Sequence, residues 1–91
     1  MLATGAAYQV YVLENSAGRF YIGLSEDVSL RLEQHNQGVS KWTRHRGPWV
    51  LVWTSGAMTL SEARKLENRL KRQKGGIGLK RLIGLPVLSG A

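Results

Sequence analysis

Ninety-one residues carry 13 lysines and arginines against six acidic side chains, a formal charge of +7 at neutral pH, and no cysteine. That length supports one core rather than two, and a disulfide framework or a thiolate metal site is excluded. The longest apolar strand candidate, Trp49-Val50-Leu51-Val52-Trp53, falls far short of the ~20 residues that cross a bilayer. The amino-terminal Met-Leu-Ala-Thr-Gly lacks the basic and apolar regions of a secretory signal. The expectation is therefore a cytoplasmic protein without membrane association. Residues 1–40 carry two bases against four acids, and residues 41–91 carry eleven bases against two. So basic a second half is what a phosphate backbone attracts, although a solvated surface without a specific partner would look the same.

Residues 8–13, rich in valine and tyrosine, read as a strand, residues 14–19 as a polar turn and residues 20–24 as a second strand, together a hairpin. A register centred on Ser16 would set Tyr11 and Tyr21 face to face. Ser25 or Asp27 can cap a helix running to about Gln37, with Gly38 as its stop. In that helix Val28 and Leu32, with Val39 beyond it, form an apolar stripe, and Arg31 and His35 lie one turn apart along its edge. Both would sit at the margin between core and solvent. Residues 39–48 form a basic loop, and residues 49–53 a strand apolar on both faces and hence well covered. Thr59 and Glu62 have capping-box spacing, opening a helix over 60–73 that buries Leu60, Ala63, Leu66 and Leu70 and holds Glu67 on the same side. Gly75-Gly76 would end it, leaving a short turn or helix at 77–83. The expected organisation is an extension (residues 1–7), one domain (8–83) and a tail (84–91), without internal repeats.

Tyr11, Tyr21, Arg31, His35 and Glu67 each belong to a segment whose periodicity sets it beside the core, where an unpaired polar head is costly. Two phenols, a guanidinium, an imidazole and a carboxylate could jointly hold a metal ion, grip a phosphate and activate water. Each also has a plainer account. Glu67 could lift its head to solvent or pair with Lys71, one turn on. Arg31 and His35 could form a solvated helix face. The tyrosines could be strand aromatics with satisfied hydroxyls, given a phenol pKa of about 10. Gly23 could relieve crowding or let another backbone approach.

The order and spacing of Tyr11-Val12-Leu13, Tyr21-Ile22-Gly23, Ser25, Asp27, Arg31, His35-Asn36 and Gly38 resemble the GIY-YIG nuclease family. The likeness is greatest to small single-domain members related to the amino-terminal nuclease domain of the bacterial excinuclease. It continues through Lys41-Trp42-Thr43-Arg44 and Pro48-Trp49 to Ser61-Glu62-Ala63 and Leu66-Glu67, covering residues 8–74. The first half-motif reads Gln9-Val10-Tyr11, without its namesake glycine. Beyond Lys74, Gly75-Gly76-Ile77-Gly78-Leu79-Lys80 departs from the polar, asparagine-bearing segment of larger relatives.

The resemblance implies an α+β fold, a small three-stranded antiparallel sheet flanked by helices. It also implies metal-dependent hydrolysis of phosphodiesters in double-stranded or branched DNA, in repair, recombination or mobile-element processing. Tyr11 and Tyr21 match the tyrosines of the two half-motifs, Arg31 the helix arginine, His35 a histidine of many members, and Glu67 the carboxylate that holds the ion. A single hard cation, Mg²⁺ or Mn²⁺, suits one carboxylate, waters and a phosphate oxygen. Lys41, Trp42, Arg44 and Arg46 interleave cations with an aromatic, as strand-binding surfaces do, and Lys71 and Lys74 are further candidate nucleic-acid contacts. Alternatively Trp42 packs into the core. Two other readings stay open: a catalytically weak or inactive nucleic-acid-binding module, and a domain whose basic face meets an acidic protein. Specificity could come from a protein partner.

Overall fold

A computed structural model describes residues 7–73 and 75–84. Lys74, and all but one residue of both the expected extension and the expected tail, lie outside the described residues. The chain runs β1 (Gln9–Asn15), β2 (Phe20–Ser25), α1 (Val28–Asn36), β3 (Trp49–Thr54), α2 (Leu60–Lys71) and α3 (Gly75–Ile83). The three strands form one antiparallel sheet in the order β2-β1-β3, as expected of this α+β chain.

Strand β1 is central and covered on both sides. Its side chains alternate between two clusters. Val10 and Val12 point to one face, where they pack with Ala63 and Leu70 of α2 and Leu79 and Ile83 of α3. Tyr11 and Leu13 point to the other, with Val28 of α1 and Trp49 of β3. Every residue from Val10 to Leu13 is at most 1% exposed, so this stretch is covered on both faces.

The hairpin register differs from expectation. Glu14 pairs with Phe20, Leu13 with Tyr21 and Tyr11 with Gly23, so the turn centres on Ala17 and not on Ser16. The Asn15 Oδ1 accepts hydrogen bonds from the Ala17 and Arg19 backbone N–H groups, and Gly18 takes the positive φ of +79° that closes the loop. Tyr11 and Tyr21 thus share a face diagonally rather than directly.

Strand β3 also departs from its expected burial. It is an edge strand, and Val50 is 60% exposed. A bulge lies opposite Val12 and Leu13, which pair with Trp53 and Leu51, leaving Val52 as the extra residue. The bulge explains the unbroken apolar run. Trp49 and Leu51 join the Tyr11 cluster, while Val52 and Trp53 both join the Val10 cluster.

Asp27 is the cap of α1, its Oδ1 accepting from the Leu30 N–H at 3.0 Å; Val39 lies beyond the helix and is exposed, outside the expected stripe. Thr59 and Glu62 form the expected capping box of α2. The helix stops at Lys71, and Gly75 and Gly76 begin α3 instead of merely ending α2. Leu79 and Ile83 bury the last turns of α3 against the sheet, so this segment is a third helix that completes the core.

Candidate active site

The site grows from the Tyr11 face of the sheet. Alternation along β1 turns Tyr11 toward α1, and its partner across the hairpin is Gly23, which has no side chain to obstruct the ring. A Cβ built on Gly23 would lie 2.5 Å from the Tyr11 Oη and 2.6 Å from Cζ. Gly23 is therefore the floor on which the phenol lies. What approaches it is an aromatic ring, not the second backbone considered from the sequence.

His35 faces the same phenol from the last turn of α1. It is 1% exposed, fully inside the protein and not at the core–solvent margin expected for it. The helix ends here, and the chain turns back through the basic loop, which supplies a polar partner on the imidazole's far side. The Tyr11 Oη lies 2.8 Å from His35 Nε2, and His35 Nδ1 lies 2.7 Å from the Thr43 Oγ1. Burial first, and then the Arg31 charge, lower the His35 pKa to about 4, so the ring is neutral at neutral pH. A neutral imidazole donates from one nitrogen and accepts at the other, so the chain Tyr11–His35–Thr43 has a single sense along its length.

Burial also pushes the Tyr11 phenol up to about 12, with the Tyr21 phenol and the Glu67 carboxylate adding to the rise while Arg31 opposes it. Tyr11 is thus protonated at neutral pH, and both Arg31 and Glu67 are close enough to act on it. Tyr21 completes the cluster, its ring centroid 4.6 Å from that of His35 and 6.2 Å from that of Tyr11. Arg31 is half-buried, its Nη1 donating to the Gln34 Oε1 at 2.8 Å. The Glu67 carboxylate is 3.2 Å from the Lys71 Nζ, and the two side chains are 18% and 52% exposed. The ion pair weighed from the sequence is present, and Glu67 still keeps a face open to solvent.

All five expected residues converge. Among the described residues there is no group of three or more His, Asp or Glu side chains placed to hold a metal ion. A cation that retains most of its waters needs only one protein carboxylate, and Glu67 fits that donor set. The basic loop divides: Lys41, Trp42, Arg44 and Arg46 are exposed, while Thr43 is 1% exposed. Trp42 is 75% exposed and does not pack into the core.

Two contributors entered the sequence reading only as part of the family resemblance, with no role assigned. Thr43 sits in a loop, where no periodicity marks a residue as inward-facing. Asn36 clamps the start of β3, its Oδ1 accepting from the Trp49 N–H at 2.7 Å and its Nδ2 donating to the Trp49 carbonyl at 3.0 Å. The Trp49 indole N–H in turn donates to the Thr43 carbonyl at 3.1 Å, which anchors the loop under His35. The available signal was the order of polar residues, His35-Asn36 followed by Thr43 and Trp49, and it becomes legible only with the fold in view.

A strand tyrosine lying over a glycine of the neighbouring strand, with a helix arginine and a second-helix glutamate beside it, defines a class. Residues 7–79 match the GIY-YIG catalytic domain, and the chain belongs to the GIY-YIG family, whose nuclease domains act on DNA. It is 40% identical over 67 residues to a UPF0213 protein of Aeromonas salmonicida, covering 72% of this chain and 49% of that protein. It thus spans about half the length of that relative. A UPF0213 protein of Streptococcus pneumoniae is 42% identical over 66 residues, covering 71% of this chain and 67% of that protein. The solution NMR structure of the UPF0213 protein BH0048 from Bacillus halodurans superposes with a TM-score of 0.53 at 33% identity. That match covers 85% of this chain and 82% of the other.

Proposed function

We propose that this domain, residues 8–83, is a metal-dependent DNA endonuclease that hydrolyses phosphodiesters at the Tyr11–His35–Glu67 cluster. The supporting observation is the convergence of Tyr11, Tyr21, Arg31, His35 and Glu67 from four separate elements around one buried phenol. A binding module needs cations and aromatics. It has no need of a buried phenol–imidazole–hydroxyl chain, or of a lone carboxylate beside it.

Glu67 would hold one divalent ion, Mg²⁺ or Mn²⁺, exchanging its Lys71 partner for the cation. When bound, such an ion polarises the scissile phosphate and stabilises the leaving oxygen. The chain's own groups do the rest. Arg31 neutralises charge growing on the phosphoryl oxygens, a task its forked donors suit. With a phenol near 12 and an imidazole near 4, neither group alone is a base matched to neutral pH. When they act in concert the proton ends on His35, whose proton affinity must rise when substrate binds. Tyr11 takes a proton from the attacking water as it passes its own to His35 Nε2, and the phosphate's negative charge favours the imidazolium that forms. This sense requires His35 Nδ1–H to donate to Thr43 Oγ1. Tyr21, packed on the imidazole, orients the water.

A nicking assay on supercoiled and branched DNA with Mg²⁺ or Mn²⁺ tests this reading. The wild type is expected to cleave, with loss of activity under a chelator and in both Glu67→Ala and Arg31→Ala. Equal cleavage by wild type and Glu67→Ala would overturn it. Preferential cutting of branched substrates over linear duplex would support a role in repair, recombination or mobile-element processing.

A further inference from the structure

Beside the cluster lies a groove of about 340 Å³ that the hydrolytic chemistry leaves unused. We infer that this groove receives one unpaired nucleotide, so that the preferred substrate is a single strand or a locally opened segment rather than continuous duplex. The inference deepens the nuclease reading and rests on it.

Trp42 is 75% exposed in a domain whose other described aromatics are buried or half-buried. Its neighbour Thr43 is anchored twice, through its hydroxyl to His35 and its carbonyl to the Trp49 indole. The loop is therefore tied down where the indole emerges, and Trp42 is presented outward by its backbone. A large apolar face held in water without a packing partner marks a contact surface more often than chance. Phe20 and Tyr21 supply further aromatic wall to the same groove.

Charge selects the occupant. Arg19, Arg46 and Lys71 also line the groove, and its described lining includes no carboxylate. Flat aromatic surface interleaved with cations is the combination that stacks bases while tracking a phosphate backbone. The volume lies near the lower limit of the roughly 300–1,000 Å³ typical of ligand clefts, a scale suited to a base with its sugar. Paired bases are stacked on both faces, so a duplex would have to flip a base out to use the groove, at a cost of about a few kcal/mol.

Position links the groove to the chemistry. Tyr21 belongs to both, its ring tilted against that of His35 while the residue also lines the groove. Lys71 lines the groove while pairing with Glu67. A nucleotide seated against Trp42 and Tyr21 therefore brings its adjoining phosphate toward Arg31 and Glu67, and its arrival offers Lys71 a new anionic partner as Glu67 is released to a cation.

The test uses oligonucleotides carrying 2-aminopurine, single-stranded and as duplex, bound to the intact chain in a chelator that prevents cleavage. Stacking on an indole should quench the probe in the single strand. Trp42→Ala should abolish the quench and weaken single-strand binding by about fivefold or more, with a smaller change for duplex. Trp42→Phe should restore part of both. Equal affinity of wild type and Trp42→Ala for the single strand, or no quench in the wild type, would overturn the inference while metal-dependent cleavage by wild type leaves the nuclease reading standing. A wild type that neither binds nor cuts any DNA would end both. A Trp42→Ala effect confined to self-association would reassign the groove to a contact between copies of the chain.

Discussion

The two faces of β1 are built to opposite rules. On one side Val10 and Val12 meet Ala63, Leu70, Leu79 and Ile83, all apolar and below 10% exposed. On the other, Tyr11 and Leu13 meet an equally buried environment that carries an imidazole and a hydroxyl, each with a hydrogen-bond partner. No buried side-chain nitrogen or oxygen among the described residues lacks a partner. Both faces are buried, yet only on one does burial shift proton affinities. Burial of apolar groups alone stabilises; burial around a satisfied polar chain also perturbs the groups it surrounds. In so small a domain one strand separates the two tasks, because alternation sends successive residues to different neighbours.

If that division holds, substitutions on the two faces should fail in different ways. Leu70→Ala, at a site 1% exposed, should cost about 2–5 kcal/mol in urea unfolding while leaving cleavage per folded molecule unchanged. A loss of specific activity in the folded fraction would show that the aliphatic face also shapes the chemistry. Gly23→Ala should fail on both counts. The new methyl group lies within 2.6 Å of two phenol atoms, so overpacking should cost about 1–3 kcal/mol. Displacing the phenol should slow cleavage on the order of 100-fold. Were the ring free to move aside harmlessly, the same change would stabilise, since alanine removes freedom from the unfolded chain.

A smaller effect concerns pH. His35 is held near 4 in the folded state against an ordinary value of 6.5, so between these limits the unfolded chain binds more protons. Stability should therefore be complete above about 6.5 and fall as pH drops toward 4. The Thr59 capping hydrogen bonds lower the Glu62 pKa too, but that carboxylate acts only below its ordinary range, leaving the window above about 5 to His35. Unfolding measured from pH 5 to 7 should show the slope in wild type and lose it in His35→Gln. A slope unchanged in the variant would place its origin elsewhere.

Much of this fold was legible in the chain because its signals were local. Thr59 and Glu62 announced α2, and Tyr11, Tyr21, Arg31, His35 and Glu67 were marked by spacing and by the resemblance of their order to a known family. What failed to show was set by tertiary geometry. The hairpin register turned on the Asn15 side chain capturing two backbone donors, a preference that the count of turn residues does not reveal. The burial of β3 depended on a bulge opposite β1. His35 looked marginal on a helical wheel because its covering comes from Thr43, eight residues away across a loop. Trp42 had two equally reasonable fates, and only the anchored loop decided between them.

The central claim is that the Tyr11 hydroxyl, and not merely its ring, belongs to the reacting centre. Tyr11→Phe removes that oxygen and keeps the packing over Gly23. Single-turnover cleavage of DNA with Mg²⁺ or Mn²⁺ by this variant is expected to fall by about 100-fold or more. Its stability should drop by about 1–3 kcal/mol, the cost of leaving the His35 Nε2 unpartnered. Cleavage at the wild-type rate would contradict the account.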